Sequence, residues 1–310
     1  MLAEKISDHL KKLAKKSPAI HREFYFSKKE LQVKEDKFCS IDPLLEEEHT
    51  EVRGLIYKYP GRVLILLTLN CASYCRFCTR RRSVSDIKKG NLTTEDINRM
   101  AEFLKKHKEI KEVILSGGDP LTVPHLLKYA LKVFSALPQI KVIRIGTRAP
   151  VSNPKLVNND LIRIIQKIPQ PVYVLIHFEH PDELTKETIE ACKKLRKAGA
   201  ILYSQSVFLK GVNDSYKILY DLFSRLIEIG IKPYYLYRCD PVEGISHFRV
   251  PFEKEIKIAT QLRKNLSGLA WPTYVIDTPY GAGKIPVPLD FWKFNKKEFR
   301  DFLGKKHKVI

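Results

Sequence analysis

The 310-residue chain contains only two methionines, two tryptophans and six cysteines, and its 35 acids are outnumbered by 55 lysines and arginines. Each shortage excludes something. Cysteines at positions 39, 71, 75, 78, 192 and 239 are too few and too unevenly spread to staple a chain of this size, which rules out a disulfide framework. No apolar run approaches the roughly 18 residues that a membrane span requires. The opening stretch MLAEKISDHLKKLAKK mixes acids with bases and lacks an apolar signal core, so the expected location is the cytoplasm. Low-complexity segments and flexible linkers are lacking too, while a hydrophobic content of 44% supplies a sizeable core.

The deficit of acids leaves a formal charge of +20, a value that alone would suit a nucleic-acid binder. No recognition motif accompanies it. Lysine and glutamate instead recur at solvent-facing positions of the predicted helices (KKHKEIKE, KKLRKAG), as on a heat-adapted surface, and nucleic acid is not expected as the partner.

What is present is an alternation. Short runs rich in valine, isoleucine and leucine at Val63–Leu69, Val113–Leu115, Val142–Ile145, Val172–Phe178, Leu202–Phe208 and Tyr234–Tyr237 read as buried parallel strands. Helical periodicity predicts helices at Thr94–His107, Pro124–Ala136, Asn158–Lys167, Pro181–Ala198, Asn213–Ile229 and Phe252–Asn265, the first started by Thr93 with Asp96 three residues on. Six such units predict an α/β fold, a partial (β/α)6 barrel of TIM type over residues 58–270. A helical extension is expected over residues 1–57, and a strand, a glycine loop and a short tail over residues 271–310. In the tail Trp292, Phe294, Phe299 and Phe302 alternate with bases and read as a short amphipathic helix.

Chemistry in such barrels sits on the loops after the carboxyl ends of the strands, and the conspicuous motifs fall there. Directly after the first strand, LTLNCASYCRFCTRRR sets Cys71, Cys75 and Cys78 in a C-x3-C-x2-C pattern. Three thiolates on one loop can hold three irons of a four-iron cluster and leave the fourth open to an outside donor. A zinc site wants a fourth ligand, usually from a second knuckle, and none exists. After the second strand, VILSGGDPL offers Gly117 and Gly118, which permit close backbone approach to a ligand. Near the C-terminus, VIDTPYGAGKIPVPL sets Lys284 behind Gly281 and Gly283, without the spacing or hydroxyl residue of a phosphate-binding P-loop. A rigid glycine loop can hold such an amine in a cavity, where desolvation keeps it nucleophilic enough to form a Schiff base.

The cysteine spacing, with Phe77 before the last cysteine, resembles the radical S-adenosylmethionine (SAM) superfamily. The Lys284 loop resembles the P-G-G-G-G-K-T-P loop of the lysine 2,3-aminomutase family, with Tyr280 and Ala282 in place of glycines and Ile285 in place of threonine. From Tyr59 to Pro286 the likeness continues through YPGRV, IRIGTRAPV, IHFEHPDELT, SQSVFLKGVND and YRCDPVEGISHFRVP. The resemblance implies a [4Fe-4S] cluster on Cys71, Cys75 and Cys78, and S-adenosylmethionine chelating the open iron with its amino group near Ser116, Gly117, Gly118 and Asp119. It further implies pyridoxal 5'-phosphate on Lys284, its phosphate met by Tyr59, Arg62 and Gln205, with Lys58 where the family usually has arginine. The implied reaction is a 1,2-amino migration that interconverts L-lysine and beta-lysine.

By the same resemblance Arg80 pairs with the substrate carboxylate, while Asp240 and Asp277 grip the side-chain ammonium, acids that glutamate-specific relatives are expected to lack. A protein-bound lysine of a translation elongation factor is the alternative substrate, against which the second acid argues. The resemblance implies an electron donor such as flavodoxin or ferredoxin and leaves room for a homo-oligomer. The family's inter-subunit zinc segment is expected to be absent, since no cysteine follows Lys284.

Overall fold

The computed structural model describes residues 2–31, 39–84, 91–278, 283–293, 298–301 and 304–308. Two short helices open the chain. Ser7 caps α1 (Asp8–Ala14), and Ser17, followed by Pro18, caps α2 (Pro18–Phe24). Their apolar faces meet as a small cluster of Leu10, Ala14, Ile20 and Phe24, against which Cys75 packs.

A ten-stranded sheet follows, its strands neighbouring one another in strict chain order. The hairpin of β1 (Thr50–Val52) and β2 (Leu55–Tyr59) pairs antiparallel onto β3 (Arg62–Thr68). Then come α3 (Thr94–Lys106), β4 (Glu112–Gly117), α4 (Pro124–Ser135), β5 (Val142–Thr147), α5 (Ala149–Ser152), α6 (Asn159–Ile165), β6 (Val172–His177), α7 (Lys186–Lys197), β7 (Ile201–Val207), α8 (Tyr216–Glu228), β8 (Lys232–Tyr237), α9 (Phe252–Asn265) and β9 (Thr273–Asp277). Pairing is parallel from β3 through β9, and β10 (Lys284–Pro286) returns antiparallel on β9. The six expected units are present with a seventh parallel strand, and the sheet is open because β1 and β10 sit at its two ends.

Three expectations are corrected. The extension over residues 1–57 is not all helical, since β1 and most of β2 join the sheet. The helix expected at Pro181–Ala198 splits into a 3-10 turn at Pro181–Glu183 and α7, because Thr185 takes the cap position and accepts from the backbone N–H of Thr188. The tail forms a small antiparallel sheet of β11 (Trp292–Lys293), β12 (Glu298–Arg300) and β13 (Lys306–Lys308), with Trp292 opposite Phe299 in register. Apolar residues that alternate with bases have period two, which is a strand pattern rather than a helical one. Phe294 and Phe302 lie outside the described residues.

Along each barrel strand one set of alternate side chains is buried against the helices and the other faces the barrel interior. Val63, Ile65 and Leu67 are buried on β3, as are Val113 and Leu115 on β4, Ile143 and Ile145 on β5, and Val174 and Ile176 on β6. Between them stand Arg62, Ser116, Arg144 and His177, joined by Gln205 and Tyr237 from β7 and β8, all lining the interior cavity. The strands are therefore not apolar on both faces, and the polar inner positions build the site.

Candidate active site

The cysteine loop leaves β3 and is held from outside by the N-terminal extension. The backbone N–H of Tyr74 bonds to Lys5 O at 2.9 Å, and that of Arg76 to Glu23 O at 2.8 Å. Arg76 is fully buried, its Nε on Glu30 Oε1 at 2.8 Å and its Nη1 on Ala3 O at 2.9 Å. Leu2, Tyr74 and Val84 pack beside Cys71 and Cys78. Cys71, Cys75 and Cys78 line one cavity of about 190 Å³ together with Ser116, Gly117, Gly118, Asp119 and Arg148. Burial pushes the thiols up, Cys75 to about 12 although Arg148 opposes the shift. Metal binding would supply the missing stabilisation of the thiolates. Three thiols from one loop around one cavity fit a four-iron cluster, whose ligands each hold a separate iron. Among the described residues no three His, Cys, Asp or Glu side chains are set around a single ion.

The glycine pair is required for a different reason from the one expected. Gly117 has φ +121°, and a side chain there would meet Thr68 O at 2.2 Å; one on Gly118 would meet Asn70 O at 2.2 Å. The N–H groups of Gly118 and Asp119 tie the end of β4 to the start of the cysteine loop, bonding to Thr68 O at 2.6 Å and to Asn70 O at 2.7 Å. The close approach is thus to backbone. The carboxylate of Asp119, expected at a ligand, is used internally by the Thr147 hydroxyl and the backbone N–H groups of Leu121 and Arg148.

A second cavity of about 310 Å³ is lined by Lys58, Tyr59, Arg62, Arg80, Ser116, Gln205, Asp240, Asp277 and Lys284, among others. Lys284 faces Asp277 across the β9–β10 pairing, and its Nζ donates to Asp277 Oδ1 at 2.7 Å. The Lys284 side chain is 31% exposed and ion-paired, not the sequestered amine that a deep cavity would give. Gly281, expected in its loop, lies outside the described residues, while Gly283 has φ +105° and approaches the Tyr59 ring.

Arg62 and Lys58 both lie over the Tyr59 ring, at 4.0 and 5.7 Å from its centroid. The Tyr59 hydroxyl is buried with no hydrogen-bond partner, a vacant donor that a phosphate oxygen would satisfy. Five cations line this cavity against three carboxylates, and the pyridoxal phosphate expected here fits both features. Gln205 is less free than expected, its Nε2 donating to the Tyr237 hydroxyl at 2.8 Å.

Arg80 departs from expectation most clearly. Its Nε and Nη2 clasp Glu46, at 2.8 and 2.6 Å, and its Nη1 donates to Gly117 O at 3.2 Å. The Nε and Nη2 edge of the guanidinium is therefore taken internally, and a substrate carboxylate is left the other, on which Nη1 already spends one hydrogen on Gly117 O. Asp277 is likewise taken by Lys284, whereas Asp240 is raised to about 7 by burial and by Asp277, with Lys284 and Lys58 opposing.

Both cavities share Thr79, Arg80, Ser116, Gly146, His177, Gln205, Val207 and Asp240 in their walls, so they are adjoining halves of one interior. Sequence reading passed over Glu46, His177 and Arg148. His177 and Arg148 carry a positional signal, since each ends or follows a barrel strand, and His177 meets Glu179 Oε1 at 3.3 Å. Glu46 carries none.

Comparison with known proteins agrees with this geometry. The radical SAM superfamily profile matches residues 65–223. The L-lysine 2,3-aminomutase of Methanococcus maripaludis is 38% identical over 92% of this chain and 66% of its own length. That of Buchnera aphidicola is 36% identical over 80% of this chain and 73% of its own. The chain spans between about half and two thirds of the length of the first curated relatives it matches. A radical SAM methyltransferase from Sphaerobacter thermophilus shares the fold, with a TM-score of 0.53 at 18% identity over 72% of this chain and 68% of its own. No helix among the described residues is long and apolar enough to cross a membrane. A three-thiol loop at the end of the first barrel strand, in the open parallel barrel of that methyltransferase and within a sequence more than a third identical to these aminomutases, has one reading: the chain belongs to the radical SAM superfamily and, within it, to the lysine 2,3-aminomutase family.

Proposed function

We propose that the chain is a pyridoxal phosphate-dependent radical SAM 2,3-aminomutase that interconverts free L-lysine and beta-lysine. The observation that carries this reading is the shared wall of the two cavities, with the three thiols on one side and Lys284 on the other. When bound, the cluster with S-adenosylmethionine supplies one-electron chemistry at unactivated carbon, and pyridoxal phosphate supplies a conjugated system through which nitrogen passes between adjacent carbons.

The residues then divide the work. Lys284 anchors the coenzyme, and Asp277, at 2.7 Å, keeps its amine oriented until then. Tyr59, Arg62, Lys58 and Gln205 serve the phosphate. The guanidinium edge of Arg80 that Glu46 leaves free receives the substrate carboxylate. Asp277 and Asp240 would hold the distal ammonium, two acids offsetting the cost of burying one cation. The main-chain loop from Ser116 to Gly118, which lines the cavity of the three thiols, would hold S-adenosylmethionine.

The test is conversion of free lysine by anaerobically reconstituted, reduced protein, with the coenzyme fixed by borohydride. Beta-lysine as product and a borohydride-stable label on Lys284 are expected. A fully loaded cluster with no product from free lysine overturns the substrate assignment.

A further inference from the structure

Arg148 has no role in the proposed chemistry, yet it is among the most constrained side chains in the protein. It follows β5, its backbone N–H held by Asp119 Oδ2 at 2.9 Å. From there the side chain is buried, with its guanidinium over the rings of Phe24 at 4.8 Å and Phe77 at 5.2 Å. Nη2 is clasped by the buried carboxylates of Glu23, from α2, and Glu183, from the turn after β6. Nη1 donates to Cys75 Sγ at 2.8 Å. Of the three cluster cysteines, Cys75 alone among the described residues accepts a side-chain hydrogen bond.

A counter-ion for two buried glutamates needs no contact with sulfur. Here the two carboxylates grip one nitrogen and leave the other aimed at the thiol, so that a fixed positive charge and a donor meet a ligand of the iron cluster. We infer that Arg148 sets the reduction potential of the cluster, raising it through its hydrogen bond to Cys75. One electron from an outside reductant enters the cluster; no bond or proton at Arg148 changes. The added negative charge spreads onto the thiolates, where a cation and an N–H donor stabilise it. The N-terminal extension has a part in this, because Glu23 and Phe24 fix the guanidinium in place.

The inference rests on the cluster that superfamily membership implies and not on the aminomutase reading. It is tested on the full chain, reconstituted without S-adenosylmethionine, lysine or pyridoxal phosphate, by dithionite titration followed by electron paramagnetic resonance. At the wild-type midpoint, Arg148→Gln is expected to lower the ratio of reduced to oxidised cluster about tenfold, ~59 mV for a one-electron couple. Arg148→Lys keeps the charge but loses the fork and is expected to fall between the two. Wild-type protein carrying nitrogen-15 in its arginine side chains should show a nitrogen coupling to the reduced cluster that Arg148→Lys lacks; this decides the matter if Arg148→Gln does not retain iron. An unshifted midpoint in an iron-replete variant, or no such coupling in the wild type, makes Arg148 a counter-ion to the glutamates and overturns the inference.

Discussion

The two halves of the interior are walled by the same strands yet finished in opposite ways. On the cysteine side the charged groups are paired out of water: Arg76 with Glu30, Arg148 with Glu23 and Glu183, under a cover supplied by the extension. On the lysine side cations outnumber acids, the Tyr59 hydroxyl has no partner, and Lys284 remains partly open to solvent. A permanently seated redox centre is served by fixed groups of paired charge, because an unpaired buried charge there would be costly. A chamber that must admit a phosphate and exchange an amino acid keeps an excess of cations, and the Tyr59 hydroxyl, for its guests.

Lys284→Ala should break this contrast most sharply. We expect no borohydride-fixed label and loss of essentially all turnover, with iron content and cluster spectrum unchanged, read by absorbance and iron analysis on one sample. A loss of iron as well would mean that the two halves are not separately built.

Glu46→Gln acts where the halves join. A neutral amide cannot hold Arg80 through two charge-assisted bonds, so the edge offered to a substrate carboxylate loses its orientation. Steady-state kinetics should show KM for lysine about tenfold higher, ~1.4 kcal/mol, with kcat changed less. An unchanged KM would remove Arg80 from carboxylate recognition.

A pH test concerns Asp240, which lines both cavities and whose carboxyl is raised from 3.8 to about 7 by burial and Asp277. Between those values the folded protein holds a proton that the unfolded chain has released. Stability therefore falls as pH rises through that window, by up to about 1.4 kcal/mol per pH unit, and Asp240→Asn should flatten the slope. Thermal unfolding of both proteins across this range measures it. Over the same range lysine should bind more tightly to the wild type as pH rises, because the ammonium meets an ionised acid.

How much of this was legible depended on range. The strands and α9 could be read because their signals are local and periodic, and the cysteines because their spacing within eight residues states their chemistry. The inner faces were missed because Arg144 and His177 sit inside apolar runs that read as buried on both sides. Glu46 and Glu23 were invisible for a different reason. Each gains its meaning from an arginine distant in the chain, Arg80 and Arg148, and nothing in the acidic run LLEEEHTE marks one glutamate among four.

The strict sequential order of the sheet has a consequence for how the protein assembles. Each strand pairs with the one made just before it, so the sheet can grow by short loop closures as the chain lengthens. The extension cannot settle so early, because Arg22 of α2 bonds to Lys210 O and His247 O, and Ser40 bridges to Val242. Helix α2, made before the barrel, is therefore among the last elements to dock, and the cover over the thiols closes only after the chain through His247 has folded beneath it.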